Sequence, residues 1–163
     1  MTLHPPPGFS LRPLLPGDAA EIAELFRASI DVQAEDEYSD AQRAAWASAA
    51  DDAAGFYARL AKMTALVALS GPRIAGFVAL EGGERIDMLY THPDFARRGI
   101  ATYLLQAIET LAQGRKATRL KVDASDTAHP LFMRRGFVPV RRNSVLAGEE
   151  WLANTSMEKV LGG

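Results

Sequence analysis

Cysteine is absent from the 163 residues, which excludes a disulfide framework and any reaction through a thiolate nucleophile. The three histidines have no spacing typical of a metal site, so the sequence predicts none. No run of about 18 apolar residues occurs. The proline-rich start, residues 4–8, lacks the apolar core of a signal peptide. These absences predict a cytoplasmic protein without a membrane segment.

Composition favours one enzyme-sized domain. Apolar residues make up 48% of the chain, enough to bury one sizeable core. We therefore expect a single domain over residues 1–163, with a flexible start over residues 1–8. The net charge of -2 and the isoelectric point near 5.9 argue against a general nucleic-acid binder.

The charges are distributed unevenly along the chain. Residues 31–52 contain seven carboxylates and one arginine, whereas residues 115–142 contain eight cationic and two acidic side chains. Two solvated faces of opposite sign would explain this pattern. The alternative is functional, because an acidic region favours a cationic amine and a basic region favours a phosphate-bearing cofactor.

Alternating helical and strand periodicities predict an α/β fold with a mixed sheet. Asp18 and Glu21 predict a capping box at the start of the first helix. The expected order is a strand over 9–14, three short helices, a hairpin over 64–80, a strand over 85–91, a helix over 101–112, a strand over 118–122, a helix over 127–135, and strands over 137–142 and 154–160.

Residues 84–105 are the most informative segment, since they predict a strand, a tight loop, a basic glycine turn and then a helix. The first turn of a helix presents unpaired N–H groups and the positive end of the helix dipole, which together bind an anion. Gly99 lets the backbone approach closely, and Arg97 and Arg98 add positive charge. The segment predicts a site for a phosphorylated cofactor.

This segment resembles the acyl-CoA signature of the GNAT superfamily of N-acyltransferases, Gln/Arg-x-x-Gly-x-Gly/Ala. Gly99 and Ala101 match its two small positions, whereas Ala96 stands where the family has Gln or Arg. A dinucleotide-binding Rossmann fold is the weaker alternative, because it needs three glycines here.

A second resemblance lies one helix and one strand downstream. Residues 125–137 are similar to the family pattern Asn-x-x-Ala-x-x-Phe-Tyr-x-x-x-Gly-Phe, with Ser125 at the Asn position and Phe132 at the Tyr position. The two motifs occur in the family's order, and the resemblance extends over about residues 10–160. It also implies a possible homodimer, since superfamily members often form dimers.

The resemblance implies a GNAT fold: a mixed, mostly antiparallel sheet of six to seven strands with helices on both faces. The central strand pair splays apart and admits the pantetheine arm of acetyl-CoA, the implied cosubstrate. An unpaired N–H near Leu89 would polarise the thioester carbonyl. By resemblance the cofactor is lined by Leu89, Tyr90, Arg97, Arg98, Gly99, Ile100, Ala101, Thr102, Ser125 and Phe132.

Amine acylation needs a base, because a protonated amine is not a nucleophile. Asp87 and Asp123 are the candidates, since they lie on the two strands that flank the expected gap. Strand alternation predicts that Asp87 shares a face with Leu89. The structural alternatives are an ion pair of Asp87 with Arg85 or Arg119, and a helix-cap or turn role for Asp123.

The general acid of many family members is a tyrosine, but Phe132 at that position has no proton to give. Tyr90 beside the pantetheine path is the first candidate to replace it, and Tyr38, Tyr57 and Tyr103 are others. The thiolate can also leave unassisted and take its proton from water. Ordinary core packing is the alternative reading for each of these tyrosines.

Acceptor recognition is expected from the early helices, with Asp36, Trp46 and Tyr57 as candidate substrate residues and core packing as the alternative for Trp46. The leading hypothesis is an N-acetyltransferase that transfers the acetyl group of acetyl-CoA directly to a primary amine of a small molecule or protein. The second is a catalytically impaired acyl-CoA-binding sensor or interaction module. Nucleic acid is an unlikely partner, although the arginine-rich half leaves RNA acetylation open.

Overall fold

The computed structural model describes residues 5–162, so part of the start that we expect to be flexible lies outside the described residues. The helices are α1 (Ala19–Gln33), α2 (Asp40–Ala47), α3 (Ala53–Ala61), α4 (Ile100–Gly114) and α5 (His129–Arg134). The strands are β1 (Phe9–Pro13), β2 (Thr64–Ser70), β3 (Arg73–Glu81), β4 (Arg85–Thr91), β5 (Arg119–Ser125), β6 (Val138–Ala147) and β7 (Glu150–Val160). Short 3-10 turns cover Pro16–Asp18, Ser48–Ala50 and Pro93–Phe95.

The seven strands form one sheet in the order β1-β2-β3-β4-β5-β7-β6. Only the β4–β5 pair is parallel, because α4 carries the chain across the sheet between these two strands. Every other neighbouring pair is antiparallel. The predicted α/β architecture with a mixed, mostly antiparallel sheet is confirmed. Within residues 5–162 no helix has the length and apolar character needed to cross a bilayer.

Helices cover both faces of the sheet. On one face, the apolar stripe of α4, including Leu104 and Ile108, packs on β3 and β5 side chains together with Phe132 of α5. On the other face, α1 and α3 bury Phe26 and Phe56 against β3 and β4. Burial of two apolar faces explains why the sheet needs helices on both sides.

The capping box predicted for α1 is wrong. Asp18 makes no side-chain bond to the helix N-terminus; its carboxylate instead accepts from Arg12 at 2.7 Å and from the Leu15 N–H at 2.8 Å. The Glu21 carboxylate accepts from the Ile74 N–H of β3 at 2.6 Å. Both carboxylates therefore link α1 to the sheet rather than closing its own first turn.

The last two strands are longer than predicted. β6 and β7 form a hairpin from Val138 to Val160, in which β7 pairs with β5 and β6 is the edge strand of the sheet. Residues 143–153 mix apolar and polar side chains without strict alternation, because one face of an edge hairpin stays in solvent, so the sequence does not mark this extension. The longer hairpin brings Val145 and Leu152 to the central gap.

A β-bulge in β4 overturns the predicted facing of Asp87. Ala79 pairs with Met88 and the next residue of β3 pairs with Ile86, so Asp87 is an extra residue in β4. Ile86 packs in the core on the α4 face and Met88 in the core on the α1 face. The bulge turns Asp87 to the α1 and α3 face, whereas Leu89 packs on the α4 face.

Candidate active site

The parallel pair β4 and β5 is in register at two positions, Arg85 with Lys121 and Ile86 with Val122. Beyond Ile86 no further pairing joins these strands in the described chain, so they splay apart toward their C-terminal ends. A sheet that opens in this way leaves backbone groups of both strands without their usual partners. The splay expected from the family resemblance is present.

Two cavities meet in this gap. The large cavity, of about 340 Å³, extends from the gap toward α2, α3 and the β6–β7 hairpin. The small cavity, of about 160 Å³, extends toward α1, α5 and the N-terminus of α4, where Ala101 lines it. Both are lined by Trp46, Leu89, Tyr90, Ser125 and Ala128. A ligand entering by the small cavity therefore meets one entering by the large cavity at Leu89 and Tyr90.

Backbone groups of β4 point into the gap. His92 donates its N–H to the carbonyl of Ala75 in β3 at 2.9 Å, so the backbone groups of His92 point toward β3. Along a strand, the backbone groups of successive residues point alternately to its two neighbours. The N–H and C=O groups of Thr91 and Leu89 therefore point the other way, toward β5. The side-chain amide of Gln33 donates to the Thr91 carbonyl, in agreement with this direction.

The loop before α4 has the backbone geometry of an anion site. Arg97 and Gly99 have φ values of 62° and 81°, in the left-handed region. Among the described residues the N–H groups from Arg97 to Thr102 donate to no acceptor. A Cβ on Gly99 would meet only a Pro6 carbon, at 3.7 Å, so the space before this turn is open. Consecutive N–H groups at a helix N-terminus, with open space before them, fit a phosphate group.

The small cavity has polar walls. The hydroxyl oxygens of Thr91 and Thr127 are buried without a hydrogen-bond partner within residues 5–162. Ser125 accepts a hydrogen bond from the Ala128 N–H at 3.1 Å and lines both cavities. Buried hydroxyls without partners carry a desolvation cost that an amide-bearing ligand would relieve.

Tyr90 lies at the junction of the cavities. Its hydroxyl accepts a hydrogen bond from the Trp46 indole N–H at 3.2 Å, and its ring packs edge-to-face on Phe26. Burial raises the pKa of the Tyr90 hydroxyl above its ordinary value. The hydroxyl hydrogen has no acceptor among the described residues, so Tyr90 keeps a proton that it can direct into the gap.

A row of alternating charges closes the narrow end of the gap. Arg59 donates to Asp87 at 2.9 Å, Arg85 lies 3.9 Å from the same carboxylate, and Arg85 donates to Asp123 at 3.2 Å. Ser156 also donates to Asp123, at 2.7 Å. We call Arg59, Asp87, Arg85 and Asp123 the charged row; all four line the large cavity.

Of the structural roles considered for Asp87 and Asp123, the structure contains one and excludes another. Asp123 lies within β5, so the alternative of a helix cap is wrong. The ion pair expected between Asp87 and Arg85 is present at 3.9 Å, whereas Arg119 pairs with Glu84 at 3.6 Å and with Glu158 at 3.8 Å. Both carboxylates reach the large cavity because β5 continues as a strand through Ser125 and the β4 bulge rotates Asp87.

Some of the other predicted site residues line the two cavities, and others lie outside them. Trp46 lines both cavities, and Phe132 is buried at the large cavity with its ring 5.0 Å from that of Phe137. Asp36 is exposed after α1, and neither Asp36 nor Tyr57 lines either cavity in the described chain. Of the segment over residues 97–102 predicted to line the cofactor, Ala101 alone lines a cavity among the described residues. Arg97, Arg98 and Gly99 precede α4, Thr102 lies in its first turn, and Ile100 is buried in the core.

Arg59 is a residue of the gap that the sequence analysis does not identify: it is an isolated arginine on α3, and only the packing of α3 on β4 brings it to Asp87. Tyr38, one of the alternative candidates for the general acid, lines the large cavity. Its hydroxyl donates to the Ala153 carbonyl at 2.6 Å and accepts from the Asp126 N–H at 2.9 Å. Long-range pairing of this kind has no local sequence signal.

Comparison with known proteins agrees with this geometry. The family model described as "Acetyltransferase (GNAT) domain" matches residues 34–161. The uncharacterized N-acetyltransferase YafP of Escherichia coli K12 is 33% identical over 148 residues, which cover 90% of this chain and 93% of YafP.

Solved structures share the fold. A GCN5-related N-acetyltransferase from Rhodopseudomonas palustris is 48% identical, with a TM-score of 0.92 over 99% of both chains. The PaiA N-acetyltransferase from Thermoplasma acidophilum, in complex with coenzyme A, has a TM-score of 0.76 and 16% identity over 93% of this chain and 98% of its own. With its two motifs, its splayed strands and these relatives, the chain belongs to the GNAT family of acetyltransferases.

Proposed function

We propose that the protein transfers the acetyl group of acetyl-CoA directly to a primary amine. The observation that carries this proposal is the meeting of two cavities at Leu89 and Tyr90, one from the α4 N-terminus and one from the charged row. Two substrates can approach the same point from opposite ends, as direct transfer requires. The related PaiA structure, which holds coenzyme A, supports the choice of cosubstrate.

The N-terminal half of α4 would bind the phosphates of acetyl-CoA. The six N–H groups from Arg97 to Thr102 have no acceptor among the described residues, and the helix dipole adds to their positive potential. The pantetheine arm would then follow the small cavity, where Thr91 and Thr127 offer buried hydroxyls to its amides. An added strand along β4 would pair with the Leu89 and Thr91 backbone groups.

Chemistry would take place beside Leu89. The amine nitrogen attacks the thioester carbonyl carbon, the carbon–sulfur bond breaks, and the amine gives up a proton. The Leu89 N–H, which points into the gap, stabilises the negative charge that develops on the carbonyl oxygen. Asp87 accepts the amine proton directly or through water, and Tyr90 supplies a proton to the departing thiolate.

Calorimetric titration with acetyl-CoA, at moderate salt and without an acceptor, tests the cosubstrate. We expect micromolar binding that Gly99→Val weakens by about tenfold or more, because a β-branched residue is strained at positive φ and obstructs the anion site. The matched control is Gly82→Val: Gly82 has a φ of 62° and open surroundings but lies in the β3–β4 turn. Absence of binding by folded wild-type protein would overturn the proposal.

Release of free CoA thiol with a panel of amines then tests transfer. Turnover that depends on the amine supports the transferase. Binding of acetyl-CoA without turnover of any amine would favour an acyl-CoA sensor, the alternative raised by phenylalanine at position 132. RNA binding that weakens steeply at raised salt would instead favour a nucleic-acid acceptor.

A further inference from the structure

We infer that the acceptor is an amine that also carries a carboxylate, namely an α-amino acid with an apolar side chain. This inference rests on the proposed function and narrows its acceptor. The juxtaposition that supports it is the charged row, Arg59-Asp87-Arg85-Asp123, beside an apolar wall in the large cavity.

Each carboxylate of the charged row already has an arginine partner, so the row carries no net negative charge that would attract a simple cation. Asp87 is bonded to Arg59 and lies near Arg85, and Asp123 is bonded to Arg85 and Ser156. The four side chains therefore sum to zero charge at neutral pH. A polyamine would need carboxylates without cationic partners, so this cavity does not favour one.

The arginines, by contrast, keep unused donors. One guanidinium nitrogen of Arg59 donates to Asp87, and within residues 5–162 its other nitrogens have no acceptor. Its side chain is 54% exposed and that of Arg85 is 48% exposed, so both guanidinium groups remain accessible from the cavity. A guanidinium group with free N–H donors binds a carboxylate by two parallel hydrogen bonds.

The alternation of charge matches a zwitterion. An ammonium group placed at Asp87 lies next to Arg59, whose nearest nitrogen is 2.9 Å from that carboxylate. A carboxylate on the same acceptor then reaches the free donors of Arg59. An amine without a carboxylate would leave these donors without a ligand partner in the complex.

Most of the other residues that line the large cavity are apolar. Trp46, Val145 and Leu152, with Ala49 and Ala147, provide an apolar wall beside the polar Tyr38, Ser125 and Asn154. Small and branched apolar side chains around an indole leave room for an aliphatic or aromatic group rather than a charged one. An amino acid such as phenylalanine or leucine satisfies both the charged row and this wall.

The test compares L-phenylalanine with L-phenylalaninamide, which has the same side chain and amine but no carboxylate. Phenethylamine and L-leucine complete the panel, and CoA release gives kcat/KM for each. We expect kcat/KM for L-phenylalanine to exceed that for the amide by about tenfold or more, mainly through KM, since the added contact is charge-assisted. Equal values, or no turnover of L-phenylalanine and L-leucine, would overturn the inference.

The variant Arg59→Met tests the residue assignment. We expect this variant to reduce the ratio of kcat/KM for L-phenylalanine to kcat/KM for L-phenylalaninamide by about tenfold or more. Loss of a merely structural ion pair would instead lower kcat/KM for both substrates equally. The matched control is Arg119→Met, which removes an arginine of similar exposure that pairs with Glu84 outside the cavity. Retention of the full preference by Arg59→Met would contradict the assignment.

The two proposals fail in different ways. Failure of acetyl-CoA binding in the titration overturns the transferase itself. Normal binding together with turnover of phenethylamine and no preference for a carboxylate overturns only the amino-acid acceptor. Thermal melting of each variant shows that it is folded, as expected for a side chain that is 54% exposed.

Discussion

At the scale of single residues, Tyr90 is our proposed replacement for the hydroxyl that phenylalanine lacks at position 132. The hydroxyl of Tyr90 accepts from Trp46 and still has its own hydrogen to donate at the junction of the two cavities. Burial raises the pKa of Tyr90, so the hydroxyl stays protonated through neutral and mildly alkaline pH. A hydroxyl that stays protonated can donate a hydrogen bond to the departing thiolate, and it does not serve as the base.

We predict that Tyr90→Phe lowers kcat by about a hundredfold, the usual contribution of a general acid, while the acetyl-CoA Kd changes little. The Trp46 N–H loses its acceptor, so we also expect a loss of about 1 kcal/mol in unfolding free energy. Steady-state kinetics and calorimetry provide the two values. Tyr57→Phe is the control, because Tyr57 lines neither cavity, and wild-type kcat in Tyr90→Phe would remove Tyr90 from the mechanism.

A second residue-scale prediction concerns stability. Hydrogen bonding to Arg12 lowers the pKa of Asp18, and burial opposes this effect. A folded pKa below the unfolded value of about 3.9 adds stability that is fully present above that value and is lost as pH falls through the folded pKa. Asp18→Asn should therefore cost about 2 kcal/mol at pH 7, and the difference should shrink below about pH 4.

Urea unfolding at several pH values measures this effect. Asp40→Asn is the matched control, since Asp40 also pairs with an arginine but its side chain is 99% exposed. An exposed pair of this kind contributes less than about 1 kcal/mol. A cost for Asp18→Asn that stayed constant down to pH 2 would contradict the assigned cause.

At the scale of elements, α4 lies so close to β3 and β4 that one position admits only glycine. A Cβ at Gly76 would meet the Tyr90 carbonyl oxygen at 2.9 Å and side-chain carbons of Ile100 and Leu104 at 3.0 Å. Gly76 thus determines how closely the N-terminus of α4, the proposed anion site, approaches β4.

We predict that Gly76→Ala destabilises the protein by about 1–3 kcal/mol, because the backbone oxygen must shift, and weakens acetyl-CoA binding. Gly114→Ala is the matched control: Gly114 ends the same helix and has nothing within 4 Å of an added Cβ. That substitution should be neutral or stabilising by up to about 1 kcal/mol. Equal effects of the two substitutions on binding would show that the approach at Gly76 does not position the site.

Elements with local signals could be predicted from the sequence, and features made by long-range contact could not. The turn before α4 and the stripe of α4 are encoded by adjacent residues, so the fold and the position of this turn could be predicted. The bulge at Asp87 has no sequence signature, since it reflects how β4 pairs with β3. The pairing of Arg59 with Asp87 likewise joins residues 28 positions apart.

At the scale of the whole molecule, the sheet consists of two parts joined by a short seam. β1 to β4 form one part and β5, β7 and β6 the other, and two residue pairs connect them through the sheet. Side chains from the α1–α2 region reach across the gap: Tyr38 bonds to Ala153 and Asp126, and Gln42 bonds to the Trp151 carbonyl. A ligand in the gap would add contacts to both parts of the sheet.

We therefore predict that acetyl-CoA slows amide hydrogen exchange at Leu89 and Thr91 by about tenfold or more, because their N–H groups point into the gap and gain partners there. At a concentration a hundred times Kd, binding should also stabilise the fold by about 2.7 kcal/mol. Exchange measured with and without acetyl-CoA, with Ile108 in the middle of α4 as the internal reference, distinguishes local protection from general stabilisation. At the same ligand concentration, Gly99→Val should lower the stabilisation by about 1.3 kcal/mol or more and reduce the protection of Leu89 and Thr91. Equal slowing at Leu89 and Ile108 would mean that the ligand binds outside the gap.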